Sequence, residues 1–228
     1  MATIRVMSGG APREVFAALT PRFEQQSGHK VVFSYAVMSA LRERLAAGEK
    51  TDVLVMPVPL LDGYVTEGKL HADGRGVLGT VLSSVVVREG APRPDISTAD
   101  KFRQALSDAK SIVHATPGQT PSGTHLGKLM DELGIAKDKI VHRSALAGGI
   151  DLVVKGEADL GIYPTSEVVG IPGLAVVGPL PGAAQLKQVY GAAVASDTAE
   201  ADAAQAFIAF VTAAENRAAW THGGFETA

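Results

Sequence analysis

Two stretches of this chain follow one plan. SALRERLAAGEKTDVLV, from Ser39 to Val55, and SALAGGIDLVVKGEADLGI, from Ser144 to Ile162, both open Ser-Ala-Leu and run through a helical segment. Both then meet Gly-Glu and enter an apolar strand after an aspartate. Each copy closes a longer run in which strands alternate with helices. In the first run, Thr3–Ser8 alternates like a strand. Pro12–Gln26 sets Val15, Phe16, Leu19 and Phe23 at helical spacing, and Lys30–Tyr35 is a second strand. Ser39–Ala47 is a helix ended by Gly48, and Asp52–Met56 is a buried strand. In the second run, Ser111–His114 is a strand, Ser122–Leu133 a helix ended by Gly134, and Lys139–His142 a strand. Pro12 suits a first helical turn, whereas Pro21 predicts a kink or a break, and Gly28 a stop.

Strands that alternate with helices pair in parallel through right-handed crossovers. The expected fold is therefore α/β, with two Rossmann-like lobes joined by two crossing strands and a ligand cleft between them. The crossings are read at Leu82–Val87 and Gln188–Ala195, with the helices Ala199–Ala213 and Glu215–Thr221 returning to the first lobe. The expected division is residues 1–80 plus 192–228 for one lobe and 81–191 for the other.

Composition narrows the function. The 228 residues carry a formal net charge of −3, and their lysines and arginines are scattered, so no basic tract recruits nucleic acid or an acidic membrane. The absence of cysteine excludes disulfides, thiolate metal sites and thiol catalysis. The six histidines are dispersed without the i, i+4 spacing of a helical metal pair, so neither metal nor cofactor is expected. His114 ends a strand, a place from which it could line the cleft, and is read first as a hydrogen-bonded structural histidine; Asp52 and Asp159 are read as organisers of turns. No apolar run reaches the roughly 18–20 residues of a spanning helix, and MATIRVM lacks the features of a signal peptide. The expectation is a cytoplasmic protein for the chain as given, or a periplasmic one if a signal segment was removed.

Chemistry concentrates at two strand-to-helix turns. Ser8-Gly9-Gly10 follows the first strand, where ligands collect in open α/β sheets. The glycines permit close approach and positive φ, the helix start favours anions, and Arg13 adds a charge in the first turn. It is neither GxGxxG nor a phosphate-binding loop, which argues against a nucleotide. The second turn, TPGQTPSGTH, brings Thr120, Ser122, Gly123, Thr124 and His125 to the start of another helix. Both have a plain structural account: a tight turn in the first, capping of helix amides by Thr120 or Ser122 in the second.

The strand–glycine–helix opening of Ile4–Leu19, FEQQSGHKVVFSY, SALRERLAAGEKTDVLVMP, the PSG-helix-LGI segment, KGEADLGIYPTSEV and AFIAFVTAAENRAAWTHGGF stand in a distinctive order. In that order the chain resembles solute-binding proteins of type II topology, in the branch around molybdate-binding proteins, which also holds aconitate isomerase-like proteins. The resemblance spans nearly the whole chain and implies two lobes closing on one ligand. Its molybdate binders use serine hydroxyls after strands one and two and a tyrosine near the second hinge. Here Gly9 and Gly10 stand at the first serine positions, and Val37, Met38 and Ser39 at the second. Pro164 stands at the tyrosine, one place after Tyr163. Leu146 and Pro57 occupy positions that supply backbone amides, and a proline has none.

With the hydroxyl cage largely gone, the expected ligand is an organic di- or tricarboxylate. It would be held by Ser8, Gly9, Gly10, Arg13, Val37, Met38, Ser39 and Arg42 in one lobe. In the other it would meet Thr120, Ser122, Gly123, Thr124, His125 and Tyr163. Arginine forks match carboxylates, and the apolar residues suit a carbon skeleton. Arg42 has a competing place on the outer face of its helix. Two functions remain open. One is a binding module for a small anion, partnered by an ABC permease only if exported. The other is a cytoplasmic isomerase that moves a proton on an aconitate-like carboxylate, with His125 or Tyr163 as acid or base.

Overall fold

The expected alternation is present in the computed structural model, which describes residues 1–227. In chain order the elements begin with β1 (Thr3–Ser8), α1 (Arg13–Ser27), β2 (Lys30–Tyr35), α2 (Met38–Ala46), β3 (Val53–Pro57), α3 (Val58–Thr66) and β4 (Gly76–Val81). There follow β5 (Ser83–Arg88), α4 (Ala99–Asp108), β6 (Ile112–His114), α5 (Pro121–Glu132), β7 (Ile140–His142), α6 (Gly149–Val154), β8 (Leu160–Pro164), α7 (Thr165–Val168) and β9 (Leu174–Pro179). The chain ends with β10 (Gln188–Val194), α8 (Ala201–Thr212), α9 (Arg217–His222) and β11 (Phe225–Glu226).

These elements form two units, Met1–Val81 with Gln188–Ala228, and Leu82–Lys187. The first holds a six-stranded sheet in the order β11-β4-β10-β3-β1-β2, with β2, β1 and β3 parallel and β10 antiparallel to β3 and β4. The second holds a five-stranded sheet in the order β7-β6-β8-β5-β9, with β7, β6 and β8 parallel and β5 antiparallel to β8 and β9. Neither connecting segment is shared between sheets: β5 lies wholly in the second and β10 wholly in the first. The sequence division at 191/192 cut through β10, but that strand pairs from Gln188 with Val81 to Val194 with Val53, and this ladder keeps it whole.

Period-two burial assigns each strand's faces. Ile4, Val6, Val53 and Val55 meet Phe16, Phe23 and Phe207 from α1 and α8, while Met7, Leu54 and Met56 meet Leu41 and Leu61 from α2 and α3. In the second unit Ile112, Leu160 and Ile162 meet Phe102, Leu106 and Leu126, and Val113 and Tyr163 meet Val153 and Val168 on the other face. Pro21 does not split α1, which is continuous from Arg13 to Ser27. Pro21 and Ala17 are both exposed, so the carbonyl that a helical N–H at residue 21 serves in other helices lies within reach of solvent.

The aspartates do the structural work expected of them. Asp52 accepts from the Arg5 backbone N–H at 2.7 Å and from the Thr198 hydroxyl at 2.6 Å; Asp159 accepts from the Lys110 N–H at 2.7 Å. The C-terminal segment closes the first core through Trp220. Its indole donates to Val211 O at 2.7 Å and stands edge-on to Phe16 and Phe225, with ring centroids 5.5 and 4.9 Å away. Trp220→Ala is expected to remove about 3–5 kcal/mol of stability, measured as a lower denaturant midpoint for the phase that reports the first unit.

Candidate functional site

In the first unit the chain leaves β1 through α1 to reach β2 on one side, then crosses through α2 to β3 on the other. The two helices lie on opposite faces, so a crevice opens at the carboxyl ends of β1 and β3, the place where α/β sheets bind ligands. Ser8-Gly9-Gly10 sits there. The Gly9 N–H donates to Val55 O at 3.2 Å, the Ala36 N–H to Ser8 O at 3.2 Å, and the Arg13 N–H to Gly10 O at 3.0 Å. Neither Gly9 nor Gly10 has positive φ, so conformational freedom is not what the turn requires. Space is: a Cβ on Gly9 would run into the Met38 methyl and stand 3.7 Å from the Tyr190 hydroxyl.

The donors at this edge are backbone groups and arginine. Ser8 is buried and its hydroxyl donates to Gly9 O at 2.9 Å, turned onto its own chain. Pro12 precedes α1 and Val37 precedes α2, and neither supplies a side-chain cap. The first-turn amides of both helices are thus left without a side-chain acceptor. The Arg13 guanidinium stands 5.7 Å above the Tyr35 ring, with its side chain 57% exposed. Burial pushes the Tyr35 hydroxyl well above the usual phenol range, so the ring stays neutral beneath the cation. Met38 is buried, and Val37 and Ser39 are partly buried. Arg42 is exposed; with Ser39 it lines a groove of about 560 Å³ between α2 and α3, whose other wall carries Pro59, Gly63 and Tyr64. That groove is not lined by the Gly9–Arg13 turn.

The second unit repeats the arrangement: β6 reaches β7 through α5, and β7 reaches β8 through α6. The crevice lies at the carboxyl ends of β6 and β8. Capping is realised here. The Thr120 hydroxyl accepts from the Gly123 N–H at 2.9 Å and lies 3.1 Å from the hydroxyl of buried Ser122. Thr124 accepts from the Gly118 N–H at 3.0 Å and donates to Thr120 O at 3.1 Å. Gly123 is required by close approach, since a Cβ there would fall 2.7 Å from Ala115 O. His125 Nε2 bonds Ala184 O at 2.8 Å, tying α5 to the Gly182–Ala184 turn. The Tyr163 hydroxyl donates to Arg143 O at 2.9 Å inside the unit, and burial raises its pKa far from neutrality. Both proposed acid–base groups are therefore engaged in holding the fold.

Three polar groups outside the expected ligand set stand at this edge, of which His114 alone is weighed from the sequence. His114 is fully buried; its Nδ1 donates to Ala115 O at 2.8 Å, its Nε2 has no partner, and burial lowers its pKa to about 4. Ser166 is 2% exposed, and its hydroxyl has no partner. Glu167 is partly buried and accepts no hydrogen bond within its own unit, and desolvation raises its carboxyl to about 7. The signal for Glu167 lay in the internal repeat. Pro57 and Pro164 end β3 and β8 with nearly the same dihedrals, φ −53, ψ 134 and φ −51, ψ 132. Aligning on them sets PVPL against PTSE, a leucine at 60 against the glutamate at 167.

A family described as bacterial extracellular solute-binding protein matches residues 4–226. The chain belongs to that family. It is 30% identical to the aconitate isomerase of a Pseudomonas species over 92% of this chain and 82% of that one. It is 25% identical to the molybdate-binding protein ModA of Mycobacterium bovis over 98% of this chain and 84% of that one. The sulfate-binding protein SubI of Mycobacterium tuberculosis shares the fold, with a TM-score of 0.80 at 21% identity, over 99% of this chain and 86% of that one. Within the family this is a solute-binding-type module related to small-anion binders. No helix among the described residues is long and apolar enough to cross a membrane.

His114 supplies a pH signature. Its folded pKa lies below the unfolded value, so its contribution is fully present above about pH 6.5 and is lost as pH falls toward 4. The expected loss is about 3 kcal/mol once pH is below 4, seen as a falling melting temperature, and His114→Leu should flatten that decline.

Proposed function

We propose that this protein binds a small organic di- or tricarboxylate, and that it disfavours molybdate-type oxyanions. The observation that carries the reading is the donor set of the first unit's carboxyl edge. The only serine hydroxyl of the Ser8-Gly9-Gly10 turn is spent on Gly9 O. What remains is uncapped helix amides, and Arg13 above Tyr35, beside Val37 and Met38. A compact tetrahedral oxyanion is best matched by converging hydroxyl and amide donors. A carboxylate is matched by an arginine fork and helix amides, and its carbon skeleton by apolar side chains. The kinship to an aconitate isomerase supports a carboxylate guest. The reading carries an ABC permease as partner if the protein is exported.

Proton transfer on an aconitate-like carboxylate is the second reading, favoured by the same kinship and by Glu167. Its carboxyl, held near 7, is the group at the β8 end able to take and return a proton at neutral pH. The step would remove a proton from the methylene carbon next to the double bond and return one at the far end of the allylic unit. No electrons are gained or lost. Incubation with cis- or trans-aconitate, followed by proton NMR, tests it: conversion lost in Glu167→Gln supports the reading, and no conversion by the wild type ends it.

For binding, calorimetry with tricarballylate, citrate, succinate, molybdate and sulfate is expected to show carboxylate binding and none of the oxyanions. Arg13→Ala should weaken carboxylate binding about tenfold or more while leaving the melting temperature within a degree or two. Molybdate binding without a carboxylate would overturn the ligand class, and unchanged affinity in Arg13→Ala would remove its role.

A further inference from the structure

The carboxyl edge of the second unit carries polar groups that can each accept a hydrogen bond. His114 Nδ1 faces a carbonyl oxygen, which can only accept, so the proton sits on Nδ1 and the unpartnered Nε2 is a lone-pair acceptor. Ser166 adds a buried hydroxyl with no partner. Two of the three buried polar side-chain atoms without a partner among the described residues thus belong to the strand and helix that flank this one crevice; the third, Thr20 Oγ1, is on α1. Next to Ser166, Glu167 presents a carboxyl that no donor of its unit satisfies. Native interiors leave few buried groups such as His114 Nε2 and the Ser166 hydroxyl unpaired, and each one calls for a partner.

The element that carries two of them is rigidly placed. The Thr165 N–H and hydroxyl both donate to Leu82 O, at 2.8 and 3.0 Å, and the same hydroxyl lies 2.7 Å from that of Ser84. The Gln185 carboxamide then clamps the next residue, accepting from the Ser83 N–H at 2.7 Å and donating to Ser83 O at 3.0 Å. A short helix fixed this way, with acceptors left open, is preorganised for a ligand.

We infer that the β6–β8 edge takes a hydrogen-bond-donating group of the ligand, a hydroxyl or an ammonium, so that the acid bound is a donor-bearing carboxylate. The inference rests on the carboxylate reading above. Bare oxyanions and fully ionised unsubstituted acids offer no donor to the His114 Nε2 lone pair or to a Glu167 carboxylate; only the Ser166 hydroxyl can donate to them, so the other acceptors stay desolvated and unpaired, which costs affinity.

Matched acids test it by calorimetry on the full chain at pH 7.5: succinate, malate and aspartate, and tricarballylate with citrate. The donor-bearing member of at least one set is expected to bind about tenfold or more tighter than its unsubstituted partner. Malate and citrate winning identifies a hydroxyl; aspartate winning identifies an ammonium. Equal affinities within every set that binds would assign the open acceptors to buried water and overturn the inference while leaving the carboxylate reading standing. Binding by none of the five would defeat that reading, and the inference with it. In Glu167→Leu, and in the milder Ser166→Ala, the preference ratio should fall toward one. A ratio unchanged in both folded variants would remove α7 from the assignment.

Discussion

Everything at the candidate sites depends on how parallel strands must be connected. A parallel pair needs a crossover through a helix, and the crossover hand is fixed. From β1 the chain goes to β2 on one side and then to β3 on the other, and β6, β7 and β8 do the same. Where consecutive crossovers diverge, no helix can cover the strand ends, and a crevice with free backbone groups is left. Residues just after β1, β3, β6 and β8 therefore border these crevices by topology, before any side chain is chosen.

Side-chain chemistry then makes the two crevices unlike. After β1, a serine turned onto its own backbone, two glycines and uncapped helix starts leave donors and a cation. After β6 and β8 stand an imidazole lone pair that can only accept, and a hydroxyl and a high-pKa carboxyl that can accept or donate. The groups that look most reactive in sequence are the ones the second unit consumes. Thr120 caps α5, Thr124 braces the loop before it, His125 holds Ala184, and Tyr163 holds Arg143. A polar group in a fold this tightly hydrogen-bonded is free for a ligand only where the backbone does not reach it.

Much of the architecture was legible because it rests on local periodicity. Thr3–Ser8 and Lys30–Tyr35 are strands with the bounds their alternation implied, and Gly28 ends α1 in a left-handed cap. The repeated SAL…GE…D plan marks equivalent helix-to-strand passages, and its two prolines close equivalent strands. Pro21 does not break α1, because a proline's effect depends on whether water can reach the carbonyl it strands. The chain division was blurred at β10 because strand membership is set by partners far away in sequence.

The sequence by itself determined the α/β class, the two-unit plan and the strand-to-helix turns that carry the candidate sites, since periodicity, glycine stops and crossover rules act over short range. Only the tertiary structure decided which polar groups are spent and which are open. Ser8, His125 and Tyr163 are occupied by carbonyls, those of the last two distant in the chain, while His114, Ser166 and Glu167 are left without donors in their own unit. Hydrogen bonding is short-ranged and directional, so a side chain's availability depends on neighbours brought by the fold, and no spacing in the sequence encodes that directly.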